Sequence, residues 1–271
     1  MTPGLYTDVT REQYDAIDAL NFSRLKLFGL SPKHFRVNYA RKSKAMEDGT
    51  LKHMLLLEPV EFERRVVVYR GPTEGEGSRK EKKSFLAANA GNTVVTLDER
   101  LKYERMRSAV RDSKVMRVLT GGDAEATIIW DCDGIRCKSR VDYVRGDEIT
   151  DLKFARDITP SGFGRAVANM AHHAQAAFYV DALSSVLHRD ARFVWAAVEQ
   201  QDPYDAAIYR ADDDVLQIGR DLYRSWLQQY QECRHTNRWP GVMGDFEELT
   251  LRLPAWAAPR EDDDLTDLGL E

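Results

Sequence analysis

The sequence predicts an α+β fold in which a mixed central sheet is flanked by helices. Three observations lead there. A helical opening region gives way to three β-rich runs, 124–130, 135–144 and 148–154, separated by the turn pairs Asp133-Gly134 and Gly146-Asp147. An Ala-rich helical stretch follows, and two more β-rich runs precede a last amphipathic helix. With 271 residues, 43% hydrophobic, the chain carries enough apolar material for one large domain, expected over residues 1–260 with a helical N-terminal region to about residue 60.

Taken in order, Thr10 and Gln13 have the spacing of a capping box and open a short helix. A second helix is expected from Asn21 to Gly29, and Ser31-Pro32 starts another helical turn through Tyr39. Ala45 to Leu57 reads as a helix closed by Glu58-Pro59, with Glu58 capping or closing it. The β-branched run Arg64 to Tyr69 reads as a strand bounded by Gly71-Pro72. Residues 71–92 are Gly-rich and charged, so a mobile loop with a short helix near Phe85 is expected; its basic cluster Arg79, Lys80, Lys82, Lys83 suits a solvated loop or a DNA contact. An amphipathic helix is expected over 98–119 and ends at Gly121-Gly122. After the three-strand antiparallel meander, one long helix is expected from Ser161 to Leu187, then strands Arg192 to Gln200 and Asp205 to Arg210. The last helix, Asp213 to Cys233, buries Leu216, Leu222, Trp226 and Tyr230.

Composition narrows the function classes. No apolar run reaches about 18 residues, and the N-terminus lacks the basic start and apolar core of a signal peptide, so a soluble cytoplasmic protein with no membrane partner is expected. Cys132, Cys137 and Cys233 form no CxxC pair, which argues against a disulfide framework, a zinc ribbon or an iron–sulfur cluster. No phosphate-binding G-x-x-x-x-G-K-[ST] run is present, so no ATP-driven motor is implied. The net charge of -5 disfavours a nucleic-acid partner on average, yet Glu261, Asp262, Asp263, Asp264, Asp267 and Glu271 crowd the terminal segment 261–271, which reads as a solvated acidic tail. The body is close to neutral and can carry local basic surfaces.

The chemistry sits in the meander. Alternation along ITDLKF puts Asp151 and Lys153 on one strand face, opposite Thr150, Leu152 and Phe154, which point inward. In the preceding strand the same rule groups Arg136, Lys138, Arg140 and Asp142. If the two strands pair across Gly146, Asp142 and Asp151 come together with an ammonium beside them. Two adjacent carboxylates repel unless a cation lies between them, and hard oxygen ligands suit Mg²⁺ or Mn²⁺ with a substrate phosphate. An exposed polar strand face with ordinary ion pairs has the same pattern, because D-x-K alone is a weak signal.

The company of that tripeptide is more specific. GTLKHMLLLEP (49–59), CKSRVDYV (137–144), ITDLKF (149–154) and HHAQAAFYVDAL (172–183) occur in the order that resembles the RecE-type (exonuclease VIII) exonucleases and phage nucleases of the PD-(D/E)XK class. N-x-S-x-L-K from Asn21 and S-P-x-H-F from Ser31 extend the resemblance to roughly residues 20–255.

The resemblance implies a PD-(D/E)XK (restriction-endonuclease-like) core and assigns roles by position. Asp142 and Asp151 would be metal ligands, Lys153 the catalytic lysine, and the carbonyl of Leu152 a further ligand. His53, which taken alone reads as a helix-face histidine under a loop, would lie beside the metal; Glu125 would assist it. Gln175 and Tyr179, four apart and so on one helix face, would border the active site and the DNA strand, where otherwise they read as a surface amide and a partly buried aromatic. The implied activity is Mg²⁺- or Mn²⁺-dependent degradation of linear duplex DNA from its ends, 5′ to 3′, leaving 3′ tails for recombination. Implied partners are double-stranded DNA ends, copies of the chain in a ring-shaped homotetramer, and a single-strand annealing protein. A structure-selective endonuclease and a non-catalytic DNA-end-binding scaffold are the alternatives.

Overall fold

The computed structural model describes residues 1–37, 44–72, 76–244 and 246–252. The acidic tail 261–271 and the helix end expected at Tyr39 lie outside them. The chain opens with β1 (Gly4–Tyr6), α1 (Arg11–Ala16), β2 (Leu20–Asn21), α2 (Phe22–Leu25), a 3-10 turn over Lys26–Gly29 and α3 (Pro32–Arg36). Then come α4 (Lys44–Leu57), α5 (Pro59–Arg65), β3 (Val66–Tyr69), α6 (Glu76–Ala88), β4 (Thr93–Thr96), α7 (Leu97–Arg111) and a second 3-10 turn, Lys114–Val118. The meander is β5 (Asp123–Cys132), β6 (Ile135–Arg145) and β7 (Glu148–Ala155); α8 (Pro160–Asn169), α9 (His172–Leu187), β8 (Arg192–Glu199), β9 (Ala206–Arg210) and α10 (Asp213–Thr236) complete the fold.

The seven-stranded mixed sheet runs β1-β5-β6-β7-β8-β9, with β2 added parallel to β6. The turns have the expected chemistry: Asp133 and Gly134 both take positive φ, as does Gly146. β7 and β8 pair in parallel, and β8 is apolar on both faces because both are covered. Phe193, Trp195 and Ala197 join a core formed with α9, α10 and α2, while Val194, Ala196 and Val198 join a second core with α4, α5 and α7. The architecture is therefore α+β with helices on either side of the sheet.

Several expectations need correction. The N-terminal region is not purely helical: β1 and β2 extend the sheet on β5 and β6. Pro59 opens α5, and Arg64 and Arg65 end that helix by pairing with Glu61, so the strand starts at Val66. The segment expected to be a loop holds α6, whose Arg, Lys, Glu and Ala residues are good helix formers; Phe85 anchors it on Tyr69, ring centroids 5.3 Å apart. β4, unforeseen, pairs with β3 in a separate two-stranded sheet. The long helix is two, broken where Ala171 takes a left-handed φ of 51°. No glycine or proline marks that break.

Gly219 of α10 lies so close to α9 that a Cβ there would be 2.2 Å from the carbonyl oxygen of His173, whereas Gly164 on exposed α8 faces open space. Gly219→Ala is thus expected to lower stability in urea denaturation by about 1–3 kcal/mol through overpacking. Gly164→Ala is expected to raise it by roughly 0.5–1 kcal/mol through backbone entropy.

Candidate functional site

The site lies where β6 and β7 part. Their ladder runs Arg145↔Glu148, Val144↔Ile149, Tyr143↔Thr150 and stops there. At the next position the Asp142 carboxylate accepts the N–H of Leu152 at 2.8 Å, replacing a backbone acceptor. Opposite Asp142 on β5, Glu125 takes a left-handed φ of 55°, a conformation costly for a non-glycine residue within a strand. The pleat slips here too, since Val141 and Val144 both enter the α9-side core while Tyr143 enters the other.

Three chemically suitable side chains converge at this fork. The ligand atoms of His53, Glu125 and Asp142 all lie within 4.8 Å of one another. His53 Nδ1 is 3.4 Å from Asp142 Oδ2, and its ring stands edge-on to Phe154 at 5.5 Å. α4 carries His53 inward because Leu51 and Leu55 anchor that helix in the second core and Asp48 accepts from Tyr103 Oη at 2.8 Å. Arg140 Nε donates to one oxygen of Glu125 at 2.6 Å. Asp151, 1% exposed, is ion-paired with Lys153 and is not in the three-atom group. The face expected to be open is thus also covered, by α9.

Burial is the main cause of the shifted protonation here. It pushes both Asp142 and Asp151 up to about 6; Lys153 opposes this in both, while Glu125 adds to it at Asp142 and Asp142 adds to it at Asp151. His53 is lowered to about 4 by burial and Lys153, so its imidazole is neutral and free to ligate. Unbalanced carboxylates beside a neutral imidazole suit a divalent cation.

On α9, Gln175 Nε2 donates to Tyr179 Oη at 3.2 Å, and burial, with Tyr14 and Asp151 adding to it, holds the Tyr179 hydroxyl well above its ordinary range. Lys138 and Arg136, expected on the same face as Asp142, serve elsewhere. Lys138 donates to the carbonyls of Tyr14 and Ile17 at 2.7 and 2.9 Å, and Arg136 pairs with Asp131. Sequence reasoning missed three neighbours. Glu58 closes α4 through its N–H, which donates to the Met54 carbonyl at 2.9 Å, while its side chain makes no capping bond; burial, then Glu125, raise its carboxyl. Lys26 and His172 both lie within the reach of the Lys153 charge. Glu58, His172 and Lys26 all lie within the quoted motifs, but the motifs alone gave them no place beside the fork.

The carboxylate shifts set a pH dependence. Asp142 and Asp151 titrate higher in the fold than unfolded, so they favour the metal-free fold most below about 3.8 and lose that contribution as pH rises through about 6. His53 acts oppositely, contributing above about 6.5 and losing it as pH falls to about 4. Asp142→Asn in chelator is therefore expected to melt roughly 2–4 °C above the wild type at pH 7.5, the gap closing toward pH 5. Added Mn²⁺ is expected to raise the wild-type melting temperature only.

The profile of a family described as a PDDEXK-like domain of unknown function, DUF3799, matches residues 22–251. The fold is similar to that of a candidate exonuclease from Eubacterium rectale, with a TM-score of 0.62 at 17% identity, covering 91% of this chain and 96% of that one. A phage-related exonuclease from Haemophilus somnus 129PT is more distant, with a TM-score of 0.36 at 12% identity over 81% of this chain and 97% of that one. No curated protein matches. At such identities the structures speak to fold alone, but the profile spans most of the sequence: the chain belongs to the DUF3799 family of PDDEXK-like domains.

Proposed function

We propose that the chain is a metal-dependent deoxyribonuclease that degrades linear duplex DNA from its ends, 5′ to 3′, leaving 3′ single-stranded tails for recombination. The carrying observation is the approach of the His53, Glu125 and Asp142 ligand atoms to within 4.8 Å of one another beside the Asp151–Lys153 pair. His53, Glu125, Asp142 and Asp151, with the Leu152 carbonyl, would hold Mg²⁺ or Mn²⁺. A bound divalent ion supplies charge stabilisation on the phosphate and a more acidic water.

The chain's own residues do the rest. The N–H of Leu152 orients Asp142, and Arg140 restrains Glu125, so neither carboxylate must be ordered when substrate arrives. Asp151 holds the Lys153 ammonium, which orients the attacking water or offsets charge growing on the phosphate. Gln175 and Tyr179 line the strand's path. The resemblance to the RecE-type motifs supports end-directed cleavage, a ring-shaped homotetramer around the duplex and a single-strand annealing protein as partner. The Eubacterium rectale protein, described as a candidate exonuclease, bears on the first of these alone. Such a ring needs basic groups only in its channel, which accommodates a net charge of -5. Among the described residues no helix is long and apolar enough to cross a membrane, which fits the proposed cytoplasmic site of action.

Lys153→Ala is expected to lower Mn²⁺-dependent nucleotide release from linear duplex DNA by about a hundredfold or more while retaining DNA binding. Covalently closed circular duplex should remain intact with wild-type enzyme. Cutting of the circle would favour a structure-selective endonuclease, and absence of turnover on any DNA would favour an end-binding scaffold.

A further inference from the structure

A histidine that ligates a metal usually has its ring orientation fixed by a hydrogen bond from its second nitrogen. Among the described residues no hydrogen bond reaches the His53 ring. It meets instead the Asp142 carboxylate, 3.4 Å from Nδ1, and the Phe154 ring, whose centroid is 5.5 Å away at an interplanar angle of 72°. Phe154 follows Lys153 on β7 and packs, partly buried, against the second core.

Phe154 is itself held by a buried cation. Lys52, 9% exposed, precedes His53 on α4, and its ammonium lies over the Phe154 ring, 5.6 Å from the centroid. One Asp48 oxygen pairs with that ammonium at 2.7 Å, and the other accepts from Tyr103 Oη of α7 at 2.8 Å. A lysine so withdrawn from water persists only where it is paired, and a desolvated ammonium over a ring face is attracted by the ring quadrupole. The Asp48 side chain is 42% exposed, so this i,i+4 pair does not by itself require a buried lysine; the Phe154 ring accounts for where the ammonium lies.

We propose that Phe154 and Lys52 are positioning residues for the metal centre: the ammonium, anchored through Asp48 and Tyr103, clamps the Phe154 ring, and that ring turns the His53 imidazole toward Asp142. This rests on the metal-dependent reading of the fork above. Neither side chain offers a ligand atom to a cation; both act through His53.

The test uses the full-length protein with Mn²⁺ as the probe, the free ion being measured by electron paramagnetic resonance. Phe154→Leu and Lys52→Met are each expected to weaken Mn²⁺ binding about tenfold, the lower end for residues that orient a ligating histidine. Nucleotide release should then need about tenfold more Mn²⁺ to reach half its maximal rate, with a much smaller change in rate at saturating Mn²⁺. Phe154→Tyr and Lys52→Arg, which keep the ring and the cation, should restore both. Leu227→Ala, which opens a cavity in the core on the α10 side, should melt earlier yet bind Mn²⁺ as the wild type does. Wild-type affinity in Phe154→Leu and Lys52→Met overturns the proposal, and so does an equal loss of affinity in Leu227→Ala, which would trace the effect to general loosening. Crystal structures of the metal-free wild type and of Phe154→Leu give a readout independent of any ion: the imidazole should turn away from Asp142 in the variant, and an unmoved imidazole overturns the proposal. A wild type that binds no Mn²⁺ at the fork would refute the metal-centre reading instead, and the imidazole in the metal-free structures would still decide the positioning role.

Discussion

One hydrogen bond, from the N–H of Leu152 to the Asp142 carboxylate, stands where the β6–β7 ladder ends, and much of the site follows from it. A side chain that substitutes for a backbone acceptor must sit within the sheet, so its charge is withdrawn from water. The cost shows in the raised protonation of Asp142 and Asp151 and in the left-handed backbone of Glu125. Such strain persists only where packing enforces it, here through covered faces on both sides of the sheet.

The surroundings divide this charge. Arg140 neutralises part of Glu125, Lys153 part of Asp151, and His53 stays neutral against Asp142. Negative charge remains at the fork, where burial and Glu125 raise Asp142 and burial and Asp142 raise Asp151. A divalent cation would offset that charge, which links the fold to the proposed hydrolysis.

The meander was readable because strand alternation and turn residues act locally: Asp133-Gly134 and Gly146 enforce the hairpins that bring Asp142 toward Asp151. Alternation failed where the pleat slips, and so did the expectation that Lys138 shares the site, because α1 supplies carbonyls to hold it elsewhere. The break at Ala171 has no local signal; beside it α10 approaches His173 closely and Lys26 donates to the Met170 carbonyl, both contacts distant in sequence. α6 was hidden by glycines at its start although its body is rich in helix formers. His53 could be tied to the metal only by family resemblance; its approach to Asp142 depends on how α4 packs on α7.

The most direct measurement is the anomalous difference density of Mn²⁺ in crystals of the full chain, collected at the manganese edge. A peak within about 2.0–2.3 Å of His53, Glu125 or Asp142 ligand atoms, at the β6–β7 fork and lost in Asp142→Asn, is the expected result. Density absent from the fork at saturating Mn²⁺, or present only on surface carboxylates, would contradict a metal centre there.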